Sequence, residues 1–389
     1  MKPEGKVFVV AHVSRIYGPV QALTRWLREQ KADFTLVSLP FAYSGIPRAT
    51  EQAYSDGAES YSREGHASQG WEPWLWVKDW IFAFRRGWAA GKGKPVDIFI
   101  GVDCLNASAG LALRALGRAH RVGFYVIDYT PKRFRNPVLN AVYAFVDRLA
   151  AKRSDFVWNL SERMREVRRR QGVREEANLL VPVGVELSAV RPVPESEIRR
   201  RTLLYMGALM DNKGLQLMIE AFPEIAAQAP GAELHILGFG PYEAEVKRLA
   251  AESPAGDRIF VPGGLGHGEL FKVVPTFGVA LAPYLDDPGS YTWWCDPTKP
   301  KEYLACGLPL VITKVPWLWE RVADPDRPMG VAIDYRREEL VAACVRLLND
   351  DEFYGACRRN ALEFARGLDW DGIYGRAFAD LGGRRGKSA

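Results

Sequence analysis

Two lysines in the second half of the chain stand where a negatively charged group could bind. Lys213 lies with Gly214 in a short loop between an apolar run that ends at Gly207 and a helix-like stretch. Such a turn presents free backbone N–H groups beside an ammonium group and can hold a phosphate. Lys299 and Glu302, three residues apart at a predicted helix start, share one face. Lys299 could meet a diphosphate, and the Glu302 carboxylate could accept hydrogen bonds from ribose or sugar hydroxyls. The alternatives are a surface turn at Lys213 and a helix-surface ion pair between Lys299 and Glu302.

Polar side chains also follow apolar runs in the first half of the chain. His12 stands near the end of KVFVVAHV, Asp128 ends RVGFYVID, and Arg133 follows closely. The carboxylate could serve a site or cap a helix, and the histidine could face a cleft or complete the core. Arg133 could bind an anionic acceptor or belong to a solvated loop. These alternatives stay open.

The surrounding pattern predicts the elements that must position these residues. Short apolar runs alternate with amphipathic stretches, which is typical of parallel α/β architecture. The first series has strands at 6–13, 33–39, 95–103 and 121–128 and helices at 19–30 and 137–153. Proline and charged residues at 179–201 predict a linker, after which the pattern restarts.

Two such series predict an α/β fold of two Rossmann-like, doubly wound domains that face a central cleft, with ligands beyond the carboxyl ends of the strands. We expect an N-terminal domain over 1–192 and a C-terminal domain over 193–370. Over 371–389 we expect a helix that returns to the N-terminal domain and a disordered tail.

Composition argues against several classes of protein. The 389 residues favour two domains and contain no run of about 18 apolar residues, so no transmembrane helix is expected. The first apolar run fits a β-strand better than a signal peptide.

Five cysteines without a C-x-x-C pair favour a reducing compartment, here the cytoplasm. The histidines are scattered and D-P-D at 324–326 fits a turn, so no metal or other cofactor is expected.

Charge is unevenly distributed along the chain. Residues 1–192 carry 29 Lys and Arg against 19 Asp and Glu, a net charge of +10, whereas the remainder has a net charge of −5. The basic half favours an anionic partner, such as a phosphate-bearing substrate or an anionic membrane surface, although a solvated basic surface has the same composition.

Residues 71–88, WEPWLWVKDWIFAFRRGW, contain five of the 12 tryptophans. Their spacing predicts an amphipathic helix, partly in the core, too short and too charged to span a bilayer. The expected stripe comprises Trp76, Trp80, Phe84 and Trp88, widened by Val77 and Ile81. Aromatic rings beside basic groups suit a lipid headgroup interface, so we expect the exposed edge to dock on the inner leaflet. Nucleic-acid stacking is disfavoured because the basic residues do not interleave evenly with the rings.

Four motifs in the second half, in order, resemble those of the nucleotide-sugar domain of GT-B glycosyltransferases, especially the large retaining family 4. They are VPVGVELSAVRP, YMGALMDNKGLQLMIEAF, ELHILGFGPYEAEVKRLA and PTKPKEYLACGLPLV. Two departures concern the donor. Ala208 stands where arginine is often found, and Trp294 stands where many members carry a second glutamate. They favour a UDP-sugar. The sugar-contacting carboxylate is either absent or moved, with Asp286, Asp287 and Asp296 as candidates for the second case.

The resemblance implies roles for individual residues. Lys213 and Lys299 would contact the donor diphosphate, and Glu302 would hold the ribose. The remaining donor-site residues are Gly207 at the phosphates, Gly264 at the base, Tyr284 at the donor sugar, and Tyr303 beside Glu302. In the first half, SRIYGPVQALTRWLRE looks like the family's Gly-rich loop, in which Gly18 would let the backbone approach the reacting phosphate. His12 and Arg133 are expected on the same acceptor side.

FYVIDYTP occupies the place of the family's T-x-H-D motif but has no histidine. With an aspartate there, the chain also resembles, more distantly, the xanthan glucuronosyltransferase, an inverting, membrane-associated enzyme. In that case Asp128 would be the general base that takes the proton of the acceptor hydroxyl. In a retaining enzyme the departing phosphate takes that proton, and Asp128 would position sugar or acceptor.

The sequence thus predicts a hexosyltransferase that moves a sugar from a UDP-sugar to a lipid-linked or glycan acceptor at the cytoplasmic membrane face. The alternative is a two-lobed nucleotide- or sugar-binding protein without transferase activity, which would not need Lys299 and Glu302. No nucleic-acid partner is expected.

Overall fold

The computed structural model describes residues 3–14, 17–41, 43–70 and 72–382, which form two units. The first contains the chain up to Val183 and again from Trp370 onward, and the second runs from Gly184 to Asp369. This division precedes the expected boundary at 192–193. The reason is local: the Val185 N–H donates to the Leu368 carbonyl at 2.8 Å, which ties the start of the expected linker to the second unit. Residues 383–389, where a disordered tail is expected, lie outside the described residues.

The first unit is built on a sheet that has eight strands among the described residues. They are β1 (Val7–Val13), β2 (Phe34–Pro40), β3 (Arg48–Ser55), β4 (Ala58–Ala67), β5 (Val96–Val102), β6 (Ala119–Val126), β7 (Phe156–Asn159) and β8 (Asn178–Leu180). The helices between them are α1 (Pro19–Glu29), α2 (Glu72–Ala90), α3 (Cys104–Ala115), α4 (Pro137–Arg153) and α5 (Glu162–Arg170). The spatial order is β4-β3-β2-β1-β5-β6-β7-β8, with parallel pairing from β2 to β8.

Strands β3 and β4 form an antiparallel hairpin on the edge of this sheet, which the sequence analysis did not predict. The turn between them is Asp56-Gly57, and both residues have positive φ, 49° and 81°. A two-residue D-G turn of this kind matches the twist of a hairpin. The first sheet is therefore mixed, with a parallel body and an antiparallel edge.

Helix α2 contains the tryptophan-rich stretch, and its predicted stripe is only partly right. Trp80 is half-buried and donates to Ser108 of α3 at 2.9 Å, and Trp76 lies against Phe134 with ring centroids 5.3 Å apart. Val77 and Ile81, by contrast, are exposed. The side that packs on α3 therefore differs from the side that carries the exposed apolar residues of α2.

The second unit contains a wholly parallel sheet, with strand order β11-β10-β9-β12-β13-β14. Its strands are β9 (Arg199–Met206), β10 (Glu233–Leu237), β11 (Ile259–Gly263), β12 (Phe277–Ala282), β13 (Leu310–Thr313) and β14 (Gly330–Ile333). Its helices are α6 (Leu215–Gln228), α7 (Glu243–Glu252), α8 (His267–Val273), α9 (Tyr291–Trp294), α10 (Thr298–Ala305), α11 (Trp319–Val322), α12 (Arg337–Asn349) and α13 (Asp351–Ala365). Buried aliphatic side chains cover both faces, as a central parallel sheet requires.

The last helix, α14 (Trp370–Gly382), belongs to the first unit. Phe378 stacks on Trp26 of α1 with ring centroids 5.0 Å apart, and Tyr374 donates to the Pro19 carbonyl at 2.6 Å. The predicted α/β class with two doubly wound domains is confirmed. Across the described ranges, no helix is both long enough and apolar enough to cross a bilayer.

Candidate functional site

In the second unit, the predicted donor residues gather at the carboxyl end of β9. Met206 ends that strand, and Gly207 follows it. The Tyr303 hydroxyl, from α10, accepts from the Met206 N–H and donates to the Met206 carbonyl at 3.2 Å. Next to them, an added Cβ at Gly238 would lie 1.9 Å from the Gly207 carbonyl oxygen. Two glycines and a buried tyrosine thus fix the backbone at this strand end.

The turn before α6 positions Lys213 beside several hydroxyl groups. Gly214 caps the helix with φ of 73°, and a Cβ there would lie 1.9 Å from the Pro283 carbonyl oxygen, so only glycine fits without movement. The Lys213 ammonium donates to the Tyr291 hydroxyl at 3.0 Å and lies 5.4 Å from the Tyr284 ring centroid. Its three donors are not all occupied by these contacts, so it can also bind an anion.

Lys299 and Glu302 lie on one face of α10, as their spacing predicts. The Lys299 ammonium is 2.9 Å from Glu302 Oε2, and the carboxylate is largely buried. The ion pair given as an alternative is therefore present. It does not exclude a binding role, because Lys299 also lines two adjoining cavities at the strand ends.

The two cavities share Met206, Gly207, Ala208 and Lys299. One has a volume of about 260 Å³ and is also lined by Lys213, Tyr284, Tyr291 and Tyr303. The other has a volume of about 300 Å³ and is also lined by Phe239, Gly264, Leu265 and Leu270. A cavity that carries cations and an apolar cavity thus adjoin at Lys299. This arrangement suits an elongated ligand whose middle part is negatively charged.

The three candidate carboxylates for the donor sugar differ in availability. Asp296 is buried, forms an ion pair with Lys301 and accepts from Trp317 Nε1 at 3.0 Å. It is therefore committed to the core of the unit. Asp286 and Asp287 are exposed on the loop after β12, and Asp287 accepts from the Gly289 N–H at 2.8 Å.

In the first unit, His12, Asp128 and Arg133 line one cavity of about 90 Å³ at the carboxyl ends of β1, β5 and β6. The structure thus brings together three of the four residues that the sequence predicts on the acceptor side. Gly18 is not among the lining residues: it caps α1, and its N–H donates to Gln21 Oε1 at 3.1 Å. Its backbone is extended, with φ of −159°, so this conformation does not require glycine.

His12 lies between two carboxylates. Its Nδ1 is 2.7 Å from Asp103 Oδ2, and its Nε2 is 3.2 Å from Asp79 Oδ2. Asp79 also lies 2.7 Å from Nε2 of His66. Burial would lower the pKa of His12, but the charges and hydrogen bonds of Asp103 and Asp79 outweigh burial and raise that pKa to about 9. His12 is therefore an imidazolium at neutral pH and not a base.

Asp128 has the opposite electrostatic character. Burial raises the pKa of its carboxyl, the charge of Arg133 opposes that increase, and the charge of Asp103 adds to it. A carboxylate with a raised pKa accepts a proton more readily, which suits a general base. Asp128 lies two residues beyond the end of β6 rather than within the strand, and it caps no helix, since Asn136 caps α4.

Sequence reasoning missed Asp79 and Asp103. Asp103 ends the predicted strand at 95–103 and caps α3, accepting from the Asn106 N–H at 3.0 Å. Its φ of 78° is unusual for a residue other than glycine, and such strain is frequent at functional sites. The signal was present, since an acidic residue directly after an apolar strand often opens a helix. Asp79 had no such signal within the tryptophan-rich stretch.

Among the residues that the structure describes, no group of three or more His, Cys, Asp or Glu side chains is arranged so that it could hold a metal ion.

Comparison with known families covers most of the chain. Residues 19–184 match the family described as "Glycosyl transferase 4-like domain", and residues 200–350 match "Glycosyl transferases group 1".

Characterised relatives match over shorter segments. A GDP-mannose-dependent alpha-(1-6)-phosphatidylinositol monomannoside mannosyltransferase of Mycobacterium tuberculosis is 31% identical over 99 residues, 23% of this chain and 26% of that protein. The gpi3 subunit of the phosphatidylinositol N-acetylglucosaminyltransferase of Schizosaccharomyces pombe is 28% identical over 114 residues, 29% of this chain and 24% of that protein. The matches thus span about a quarter of the relatives' length.

Solved structures resemble the whole chain. Sucrose-phosphate synthase of Thermosynechococcus elongatus aligns with a TM-score of 0.70 and 18% identity, covering 98% of this chain and 100% of that one. HepE of Anabaena, in complex with UDP, aligns with a TM-score of 0.69 and 14% identity over 98% and 100%. Both are similar in fold. Together with the two family matches and the ordered motifs, this places the chain among the group 1 glycosyltransferases of the GT-B fold.

Proposed function

We propose that this protein transfers a sugar from a UDP-sugar to a lipid-linked or glycan acceptor at the cytoplasmic membrane face. The observation that carries the proposal is the position of Lys299 at the junction of the two cavities of the second unit. The apolar cavity, with Gly264 and Leu265, would take the base. Lys299 and Lys213 would bind the diphosphate, and Tyr284 would lie at the donor sugar. Glu302 would accept from the ribose hydroxyls.

The preference for UDP rests on Ala208, which lines both cavities and supplies no cation where the family often has arginine. The HepE structures, which contain UDP and UDP-glucose, share the fold of this chain at 14% identity and support the choice of UDP only to that extent. The mycobacterial relatives, by contrast, are named for GDP-mannose. Titration with UDP and GDP by calorimetry tests it. We expect tighter binding of UDP; tighter binding of GDP would refute the choice of nucleotide and leave transfer itself standing.

Lys299→Met tests the donor site. Loss of a charge-assisted contact to the diphosphate should weaken UDP binding about 10- to 100-fold, because such contacts contribute about 1.5–3 kcal/mol. The matched control is Lys247→Met, since Lys247 also pairs with a glutamate of its own helix, Glu243, at 2.7 Å. Equal UDP affinity in both variants would contradict the assigned role of Lys299.

On the acceptor side, we propose that Asp128 takes the proton of the attacking hydroxyl, as an inverting transfer requires, while Arg133 holds an anionic acceptor. The raised pKa of Asp128 supports the first role, and the position of Arg133 on the same cavity supports the second. Both ring N–H groups of His12 already donate to Asp103 and Asp79, so His12 would fix the wall of this cavity and not bind the acceptor. Asp128→Asn should abolish transfer and leave UDP affinity unchanged. Transfer to a lipid-linked acceptor should fall in the wild type as pH drops and Asp128 becomes protonated; a transfer rate in Asp128→Asn equal to wild type would refute its role as base.

A further inference from the structure

Helix α4 carries an exposed apolar stripe along its whole length. Val138, Val142, Phe145 and Leu149 are 71%, 55%, 67% and 40% exposed. At about 100° per residue they lie within about 60° of the helix circumference, and they extend over about 16 Å. Exposed apolar residues scattered singly are ordinary, but four in one row form a contiguous surface that marks an interaction site.

The opposite side of α4 faces the protein. Its buried residues are Asp147, Ala150 and Ala151. Asp147 is the helix's one acidic residue, and Arg168 Nη2 donates to it at 2.9 Å. The orientation of α4 is therefore fixed by a buried ion pair and two small residues, which leaves the apolar stripe pointing outward.

All charged side chains on the outer side of α4 are basic. Arg148 and Lys152 lie beside the stripe, Arg153 follows them, and all three are exposed. In the described part of the chain, no ion pair joins any of these three to a carboxylate. A row of apolar side chains flanked by cations matches an anionic lipid surface, where the chains enter the acyl boundary and the cations meet headgroup phosphates.

Helix α2 presents a second surface of the same kind. Trp74, Val77 and Ile81 are exposed there, and Lys78 and Arg85 lie at the same side by helical spacing. Both α2 and α4 pack on α3, and both supply lining to the His12 cavity, through Trp76 of α2 and Tyr143 of α4. The two exposed surfaces thus lie on the helices whose residues surround the candidate acceptor cavity.

We propose that α4, together with the exposed side of α2, docks the protein on an anionic bilayer and so holds the acceptor cavity at the headgroups. This deepens the proposed function and rests on it for the nature of the acceptor. A second copy of the chain fits less well, because an isologous contact through α4 would bring Arg148 and Lys152 of both copies together, which is unfavourable.

Co-sedimentation with vesicles tests the docking surface, without nucleotide or acceptor. Wild type should bind vesicles of phosphatidylcholine with phosphatidylglycerol. The double variant Val142→Ser, Phe145→Ser should bind at least about tenfold more weakly, since two inserted side chains are lost. The double variant Arg148→Gln, Lys152→Gln should lose about 30-fold in affinity for these vesicles, because each cation near an anionic surface contributes to binding. Its affinity for vesicles of phosphatidylcholine alone should change little. The control, Leu116→Ser, removes an exposed leucine outside α4 and should bind like wild type.

Two measurements on the same samples make the outcomes decisive. Thermal stabilisation by UDP should be equal in all variants, which shows that each is folded and separates docking from donor binding. Sedimentation velocity should show the same oligomeric state for all. Vesicle binding by Val142→Ser, Phe145→Ser equal to wild type would overturn the proposal. A dimer that this double variant dissociates would also overturn it, because the stripe would then belong to a second copy.

Discussion

The charged state of His12 should make the stability of the first unit depend on pH. The pKa of this imidazole is about 9 in the folded protein and about 6.5 in an unfolded chain. The folded state therefore keeps a proton that the unfolded state has released, so the stabilisation is complete below about pH 6.5 and is lost as pH rises through about 9. The difference corresponds to about 3 kcal/mol when complete.

His12→Gln isolates this contribution, because glutamine is polar and does not titrate. From the two pKa values, the stabilisation is about 2.6 kcal/mol at pH 7 and about 0.4 kcal/mol at pH 9. The difference in unfolding free energy between wild type and His12→Gln should therefore shrink by about 2 kcal/mol over this range. Burial raises the pKa of Asp79, but the hydrogen bonds from His12 and His66 outweigh burial and lower that pKa. The contribution from His12 is the His12–Asp79 interaction already included above, so its free energy is counted once.

Urea unfolding followed by tryptophan fluorescence at several pH values between about 6.5 and 9.5 measures the difference. The control is His120→Gln, which replaces an exposed histidine of β6 in the same unit. The difference in unfolding free energy between His120→Gln and wild type should change much less over this pH range than the difference for His12→Gln. A wild-type advantage over His12→Gln that stays constant from pH 7 to pH 9, or increases, would refute the assignment of a charged His12 between Asp79 and Asp103.

Two further substitutions test how the donor site is built. Gly214→Ala should lower the free energy of unfolding much more than Gly231→Ala does. For Gly231→Ala only left-handed backbone strain of about 1–2 kcal/mol is expected. The reason is that a Cβ at 214 would meet the Pro283 carbonyl at 1.9 Å, whereas nothing lies within 4 Å of one at 231, where φ is a similar 78°; equal losses in thermal unfolding would contradict this. Tyr303→Phe should cost about 1–3 kcal/mol and weaken UDP binding, because the buried Met206 N–H and carbonyl lose the tyrosine hydroxyl. Wild-type stability in urea would show that this hydroxyl does not hold the strand end.

Much of the candidate donor site could be assembled from the sequence because its parts are local. A strand end, a glycine turn and a helix start lie within a few residues of one another at Gly207, Lys213 and Gly214. The same holds for Lys299 and Glu302 on α10. Helical spacing alone places that pair on one face, and the structure confirms their contact at 2.9 Å.

The tryptophan-rich stretch shows where periodicity stops being informative. Spacing identified a helix, and α2 confirms it over Glu72–Ala90. It could not identify which side is covered, because that depends on the contacts of Trp76 with Phe134 and Trp80 with Ser108. The β3–β4 hairpin is a different case, since its Asp56-Gly57 turn carried a readable signal.

The sequence by itself determined the alternation of strands and helices outside the β3–β4 hairpin, the two-domain α/β class and the candidate phosphate-binding turns, because each of these is set by short-range periodicity and turn chemistry. Only the tertiary structure decided that His12, His66, Asp79 and Asp103 form one charged network and that α4 keeps its apolar stripe outward. The network joins residues up to 91 positions apart on two strands, on α2 and at the cap of α3, so the raised pKa of His12 exists only once the sheet is assembled. The outward stripe depends on the distant Arg168, which pairs with Asp147 and fixes which side of the helix meets the protein.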